Sequence, residues 1–414
     1  MNLKEQYYYN CLNEVFAEFP RLKVKVDRVC QGSTVFRCYL TTPPAIEAKH
    51  IIRYADYIAR ELKLEACPTI QTIYKEGSIV LDIPNTDRVI VDLREKITDP
   101  VFVKMIENGV QLPYLLGMDN SNNLIGGDLA DAPHMLFSGT TNSGKSVAMR
   151  VVLNSILAAH AFVNRRLIGL SIIDPKGVEF INYRNSFYSH LYGSDPESIR
   201  DTLIKTVRIM ERTYKILSQY ADNTGRQCTN IFQYNQAKLR SGGERELLPY
   251  TIVVIDELAD ILVVDPELES LILRLVQKGR AAGIHCLLST QRPSHEIISG
   301  PVRANVPVKI CCKVARPIDA RVVFGDSDWG AHHLLGRGDM LYQDNQTSEP
   351  IRMQGIWTDE FFMDDVRYCY RTEYGKIVPM DALELCPTER APQVIEFESY
   401  RQDDLSRVFK TNAG

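Results

Sequence analysis

Eight consecutive residues, Gly139-Thr140-Thr141-Asn142-Ser143-Gly144-Lys145-Ser146, carry the spacing G-x-x-x-x-G-K-[ST]. Glycines let such a loop turn so that its backbone N–H groups surround an anion at a helix N-terminus. A lysine in this position reaches the β- and γ-phosphates of ATP, and the hydroxyl beside it binds Mg2+. The pattern therefore assigns Lys145 to phosphate and Ser146 to Mg2+, with 139–147 through Val147 lining the nucleotide. An ordinary glycine-rich turn is the plainer reading. The apolar HMLFS before the loop and the helical pattern after it decide for nucleotide.

A second signal is TIVVIDE, where apolar residues lead to Asp256 and then Glu257. An Asp at the end of a buried strand can hold Mg2+ through water, and an adjacent Glu can orient and activate the attacking water. The alternative is a buried strand that ends in a solvated acidic turn. The phosphate loop upstream weighs against it. A third is STQRP at 289–293, which places Gln291 at the end of the following strand, as a sensor of the γ-phosphate or as a simple strand cap.

The elements that must position these groups alternate from residue 133 onward. Short apolar strands are predicted at 134–138, 167–174, 251–257, 284–290 and 308–314, and helices at about 145–162, 195–219 and 266–282. That alternation predicts an α/β fold with a parallel sheet and crossover helices. MLYQ and IRMQGIW read as a closing hairpin. Ahead of this lies a small α/β unit. It has helices over 1–19 and 46–64, a strand over 34–40, and strand signals SIVLDIPN and RVIVDLRE. The expected organisation is a small α/β N-terminal domain at 1–97, a connecting segment at 98–132, the ATPase motor at 133–372 and a polar C-terminal tail at 373–414.

Composition narrows the classes. The 414 residues are 45% hydrophobic and 24% charged, with a net charge of −4. The whole molecule is not a polycation, so any nucleic-acid contact must come from a local basic surface. No apolar run approaches the ~18–20 residues of a spanning helix, and the N-terminus lacks a signal-peptide layout. Ten cysteines without a C-x-x-C pair suit reduced thiols better than a disulfide framework or a metal site. A cytoplasmic protein is expected.

Taken in order, PHMLFSGTTNSGKS, SIIDPKGVEF, MERTYKIL, IVVIDELADIL, QKGRAAGIHCLLSTQRP, RANVPVKI and LLGRGDMLY resemble the FtsK/SpoIIIE family of double-stranded DNA translocases. The likeness covers about 130–357 and extends more weakly over VLDIPNTDRVIVDLREKI. It implies a RecA-like P-loop ATPase that assembles as a homo-hexameric ring around duplex DNA and moves along it by hydrolysing ATP with Mg2+. By motif, Lys145 and Ser146 bind phosphate and Mg2+, Asp256 and Glu257 form Walker B, and Gln291 is the sensor. Arg280 stands where a trans-acting arginine is expected, with Arg316 and Arg321 as alternatives. Arg292 and Arg303 fall in a segment that would face DNA in the pore, though each could be a surface ion pair.

The departures are specific. The family's membrane-spanning N-terminus, long linker and winged-helix module have no counterpart here, so an anchor is expected from a membrane or conjugation partner. Pro317 stands where the family often has Lys, and Asn142 replaces a frequent Gly. The other readings are a motor for protein secretion and a nucleotide-dependent assembly subunit.

Overall fold

The computed structural model describes residues 2–360 and 362, apart from 65–66, 74–76, 86–87, 89, 163–167, 185–188, 244–245, 326–328, 348 and 361. The polar tail expected at 373–414 lies outside the described residues. Two sheets organise the chain. The first contains β1 (Lys25–Gln31), β2 (Val35–Thr41), β3 (Thr69–Ile73) and β4 (Ser78–Pro84), antiparallel in the order β1-β2-β4-β3. Its helix Leu3–Ala17 starts at a capping box formed by Asn2 and Glu5 and buries Leu12, Val15 and Phe16. These join Ile51 and Ile58 in one apolar cluster with the strands.

The second sheet has ten strands. They are β5 (Pro113–Asp119), β6 (Leu124–Asp128), β7 (His134–Ser138), β8 (Ile168–Ile173), β9 (Ser189–Gly193), β10 (Tyr250–Ile255), β11 (Ile284–Thr290), β12 (Val308–Cys312), β13 (Asp339–Gln343) and β14 (Ile351–Gly355). Their order is β6-β5-β14-β13-β12-β7-β11-β10-β8-β9. The run from β12 to β9 is parallel, and the strands beyond β12 are antiparallel. β7, β8, β10 and β11 are buried along their whole length, as a parallel sheet covered on both faces requires. The helix Lys145–Phe162 is buried nearly all round, and Pro196–Thr224 packs Ile199, Leu203, Val207, Met210 and Leu217 from one stripe. The fold is that of an α/β P-loop ATPase preceded by a small α/β unit. Among the described residues, no helix is long and apolar enough to cross a membrane.

Several elements differ from the sequence reading. The segment 98–132, which reads as a connecting hairpin, does contain the hairpin β5–β6, but it also holds the helix Pro100–Glu107, and the hairpin pairs with β14 to extend the large sheet. The helix over 46–64 is two short helices, Ala48–Ile52 and Ala55–Glu61. Arg53 Nε donates to the His50 carbonyl at the break. The described residues of RVIVDLRE form no strand: Asp92 makes one bridge to Trp357 and then caps the helix Leu93–Lys96, its carboxylate accepting from Arg94 N–H. A side chain that captures a local N–H competes with the strand ladder in this way. β1, β3 and β9 were not foreseen.

Candidate nucleotide site

β7 ends at Ser138, and the chain turns through 139–144 into the helix Lys145–Phe162. The turn needs its glycines. A Cβ on Gly139 would lie 2.6 Å from Ser143 Oγ and 2.7 Å from Cys312 Cβ, and one on Gly144 would lie 2.5 Å from Gly338 N. Asn142 takes φ 61°, the left-handed conformation that Asn tolerates better than most residues. The loop is tied outward as well: Thr140 N–H and Oγ1 both donate to the Lys313 carbonyl.

The sheet order brings the remaining groups to this loop. β11 lies between β7 and β10; Thr290 pairs with Ser138 on one side, and on the other Leu288 pairs with Ile255, the residue before Asp256 and Glu257. Lys145 is 4% exposed, and its ammonium donates to Ser289 Oγ at 2.6 Å and to the Asp256 carbonyl at 3.1 Å. It stands 3.7 Å from Glu257 Oε2. Glu257 is held from the β11 side, accepting from Thr290 Oγ1 at 2.7 Å and from Gln291 N–H at 2.9 Å. It also caps the helix Leu258–Val264 through Ala259 N–H. The Gln291 side chain accepts from Thr141 Oγ1 at 2.9 Å, which joins the end of β11 to the glycine-rich loop. Lys145, Asp256, Glu257 and Gln291 are thus one contiguous group.

The electrostatics are uneven. Burial pushes the Asp256 carboxyl up to about 6; Lys145 opposes the rise, while Asp174, Glu179 and Glu257 add to it. Its Oδ1 is buried without a hydrogen-bond partner, as are Ser138 Oγ and Ser143 Oγ. Unpaired polar atoms of this kind are rare inside proteins. A carboxylate with an open oxygen among other acids fits a divalent cation, and the glycine-lined loop fits a phosphate. Ser289, Thr290 and Asp174 were not singled out from sequence, although all three lie inside the motifs STQRP and SIIDPKG. Asp174 orders the turn after β8 by accepting from Gly177 N–H and Phe180 N–H.

The arginines are dispersed. Arg280 is exposed, in a short 3-10 turn that follows Gly279, not in the last turn of a helix over 266–282; the helix ends at Lys278. The buried stripe of that helix is Leu268, Ile272, Leu275 and Val276, with Leu271 only half-buried. Arg280 precedes β11, and its guanidinium is 3.9 Å from Asp131 Oδ1. Arg292 is exposed just beyond Gln291, whereas Arg303 donates to the Val322 carbonyl at 3.0 Å. Arg316 pairs with Asp319 at the start of the helix Pro317–Phe324, and Arg321 is exposed in that helix.

A model of the FtsK/SpoIIIE family matches residues 104–295. The chain is 35% identical over 350 residues to "DNA translocase FtsK" of Lactiplantibacillus plantarum, covering 83% of this chain and 42% of that protein. It is 34% identical over 420 residues to the FtsK of Oceanobacillus iheyensis, covering 96% and 51%. "DNA translocase SftA" of Bacillus subtilis is 33% identical over 354 residues, covering 83% and 35%. The chain spans about half the length of these relatives, or less. Among solved structures, the conjugation coupling protein TcpA of pCW3, with ATPγS, superposes with a TM-score of 0.60 at 20% identity, covering 88% of this chain and 100% of that one. The cytoplasmic domain of the Thermomonospora curvata Type VII secretion ATPase EccC gives a TM-score of 0.51 at 20% identity, covering 64% and 31%. Both are alike in fold.

Proposed function

Residues 104–295 are an FtsK/SpoIIIE family domain, and from that premise we propose that the chain is an ATP-driven motor that translocates duplex DNA. The observation that carries the reading is the meeting of Lys145, Asp256, Glu257 and Gln291 at the ends of three adjacent strands. The identity of about a third to proteins named DNA translocases supports DNA as the substrate. In this reading 139–147 hold the nucleotide, and Lys145 leaves its buried contacts to meet the phosphates. Ser146 and Asp256 hold Mg2+, which when bound offsets phosphate charge. Glu257, steadied by Thr290 and Gln291, takes the proton of the attacking water. Gln291 relays the state of the phosphate loop along β11 through its contact with Thr141.

Arg280 acts on a neighbouring subunit in this proposal, so the motor works as a homo-oligomeric ring, a hexamer. Its own phosphate loop is out of reach, because seven residues of β11 separate the two and span roughly 23 Å. Arg292, exposed beside the sensor, is the better placed of the two arginines to touch a DNA backbone. Arg303 is already engaged by its own chain. The motor works in the cytoplasm, anchored by a membrane or conjugation partner.

The test is the ATPase rate with and without duplex DNA over a salt series. Duplex DNA should stimulate hydrolysis several-fold with weak sequence preference. The stimulation should fade as salt rises, since phosphate contacts release counterions. A rate indifferent to every nucleic acid overturns DNA translocation and favours a protein-secretion motor.

A further inference from the structure

Behind the phosphate loop lies the backbone of 335–339. Gly338 N–H donates to the Ser143 carbonyl at 2.8 Å, and Arg337 N–H to the Asn142 carbonyl at 3.3 Å. The contact leaves no room for side chains, as the Cβ that Gly144 lacks would strike Gly338 N. Both segments are tightly wound where they meet. Asn142 at φ 61° and Arg337 at φ 50° are non-glycine residues in the left-handed region, beside Gly336 at 78° and Gly338 at 90°. Such conformations persist only where the surroundings hold them. The geometry matters for anion binding because a peptide unit is planar and trans. With the Ser143 carbonyl fixed to Gly338, the Gly144 N–H on the opposite edge of that plane points away from 335–339 and into the loop.

The far side of 335–339 is held by side chains from outside the phosphate loop. Arg88, in the segment that joins the small sheet to the motor, donates through Nη1 to the Gly336 carbonyl at 2.7 Å and to Gln354 Oε1 at 3.2 Å. Gln354 Nε2 in turn donates to the Arg337 carbonyl at 3.1 Å. Buried Asp339 accepts from Leu335 N–H and from Nε and Nη2 of Arg352, at 2.8, 3.0 and 2.7 Å. Arg352 feels the charges of Asp82 and Arg37, themselves a bidentate pair across β4 and β2. The charge pair of the small sheet thus acts electrostatically on the Arg352–Asp339 pair, which in turn holds the backbone that braces the phosphate loop.

We propose that Arg88 is a positioning residue for nucleotide binding: by holding the Gly336 carbonyl it fixes 336–338 against the phosphate loop and so sets nucleotide affinity from the small-sheet side. The proposal rests on 139–147 being the nucleotide loop. Arg88 touches neither phosphate nor water; it acts through the backbone of another segment. Loss of one charge-assisted hydrogen bond of this class corresponds to about tenfold in an equilibrium constant.

The experiment is an equilibrium titration of the full chain with mant-ADP in the presence of Mg2+, alongside melting midpoints recorded without nucleotide. Arg88→Met, which keeps the stem and removes the donors, should raise Kd about tenfold with a nearly unchanged midpoint. Arg88→Lys should recover most of the affinity. Gln354→Leu, which cuts the second link, should also weaken binding. An Arg88→Met variant that binds like the wild type, or loses affinity only as its fold is lost, overturns the proposal. If Arg88→Met does not fold, an unchanged Kd in Gln354→Leu overturns it. Lys145→Ala separates the two readings. If Lys145→Ala binds as the wild type does, the nucleotide loop itself is misassigned and the proposal falls with it. If it loses binding while Arg88→Met does not, only the positioning role falls.

Discussion

The two ends of β7, β10 and β11 bury polar groups in opposite ways. At the C-terminal ends, Lys145, Asp256 and Glu257 bring three ionisable groups together, and Asp256 Oδ1 has no partner. At the N-terminal ends, His134 and His285 are equally buried, and each also leaves an atom, Nε2, without a partner, but burial holds their rings neutral, down to about 3 and about 4. His134 Nδ1 accepts from Cys286 N–H, and His285 Nδ1 faces the Pro133 carbonyl at 3.1 Å. Burial penalises charge at both ends, but only at the C-terminal ends does a buried acid stand among other ionisable side chains, Lys145, Asp174, Glu179 and Glu257. A perturbed acid set among charged neighbours points to function, whereas a ring kept neutral by burial points to packing.

The comparison breaks first at Arg280, an exposed charge at the quiet end. If it completes a neighbour's site, Arg280→Ala should lose about 10³–10⁵ in turnover. Mixing Arg280→Ala with Lys145→Ala subunits should then restore ATPase activity, since some interfaces pair an intact loop with an intact arginine. Normal hydrolysis by Arg280→Ala alone returns the quiet end to structure only.

Glu257→Gln should lower turnover by about 10²–10⁴ while leaving nucleotide binding nearly intact, because in the proposed role Glu257 acts on the water and not on the phosphates. Single-turnover rates and a nucleotide titration separate the two effects. At the histidine end the expected effect is on stability. Above pH 6.5 neither the folded nor the unfolded chain protonates these rings. Between about 6.5 and 4 the unfolded chain takes up protons that the folded chain refuses. Stability should thus fall with pH there by about 1.4 kcal/mol per pH unit per histidine. Urea unfolding at pH 7 and pH 5 checks this, and His285→Leu should flatten the slope. The smallest effect is Asp256→Asn, which removes a partly unpaired buried charge and should raise the melting midpoint by roughly 2–4 °C. A lowered midpoint means that the charge is already compensated.

Much of this site was readable from local sequence. HMLFS, GTTNSGKS and TIVVIDE each declare themselves within ten residues, because fully buried parallel strands are apolar runs and the loop that follows needs glycine. What could not be read is non-local. Thr290 and Ser289 clamp Glu257 and Lys145 only because β11 runs between β7 and β10. The brace at 336–338 showed in the sequence only as a motif, LLGRGDMLY, since its partners are Asn142, Ser143 and Arg88. Residues 88–95 misled because their alternating apolar pattern suits a strand, whereas Asp92 spends its carboxylate on a helix cap. The arginines were the least legible: nothing in the spacing distinguishes Arg303, bonded to the Val322 carbonyl, from Arg292, exposed beside Gln291.

The large sheet terminates in β6 and β9, each of five residues, and β6 carries Gly126, Gly127 and Asp128. A Cβ on Gly126 would lie 2.3 Å from the Tyr114 carbonyl, so these glycines are required where the hairpin is tight. Short, glycine-bearing margins are poor templates for a foreign strand. Ten strands would otherwise invite further growth at the margins, a route to fibres. Copies of this chain are therefore not expected to join by extending one sheet, and any contact between them would fall to side-chain surfaces, with no shared backbone ladder to tear.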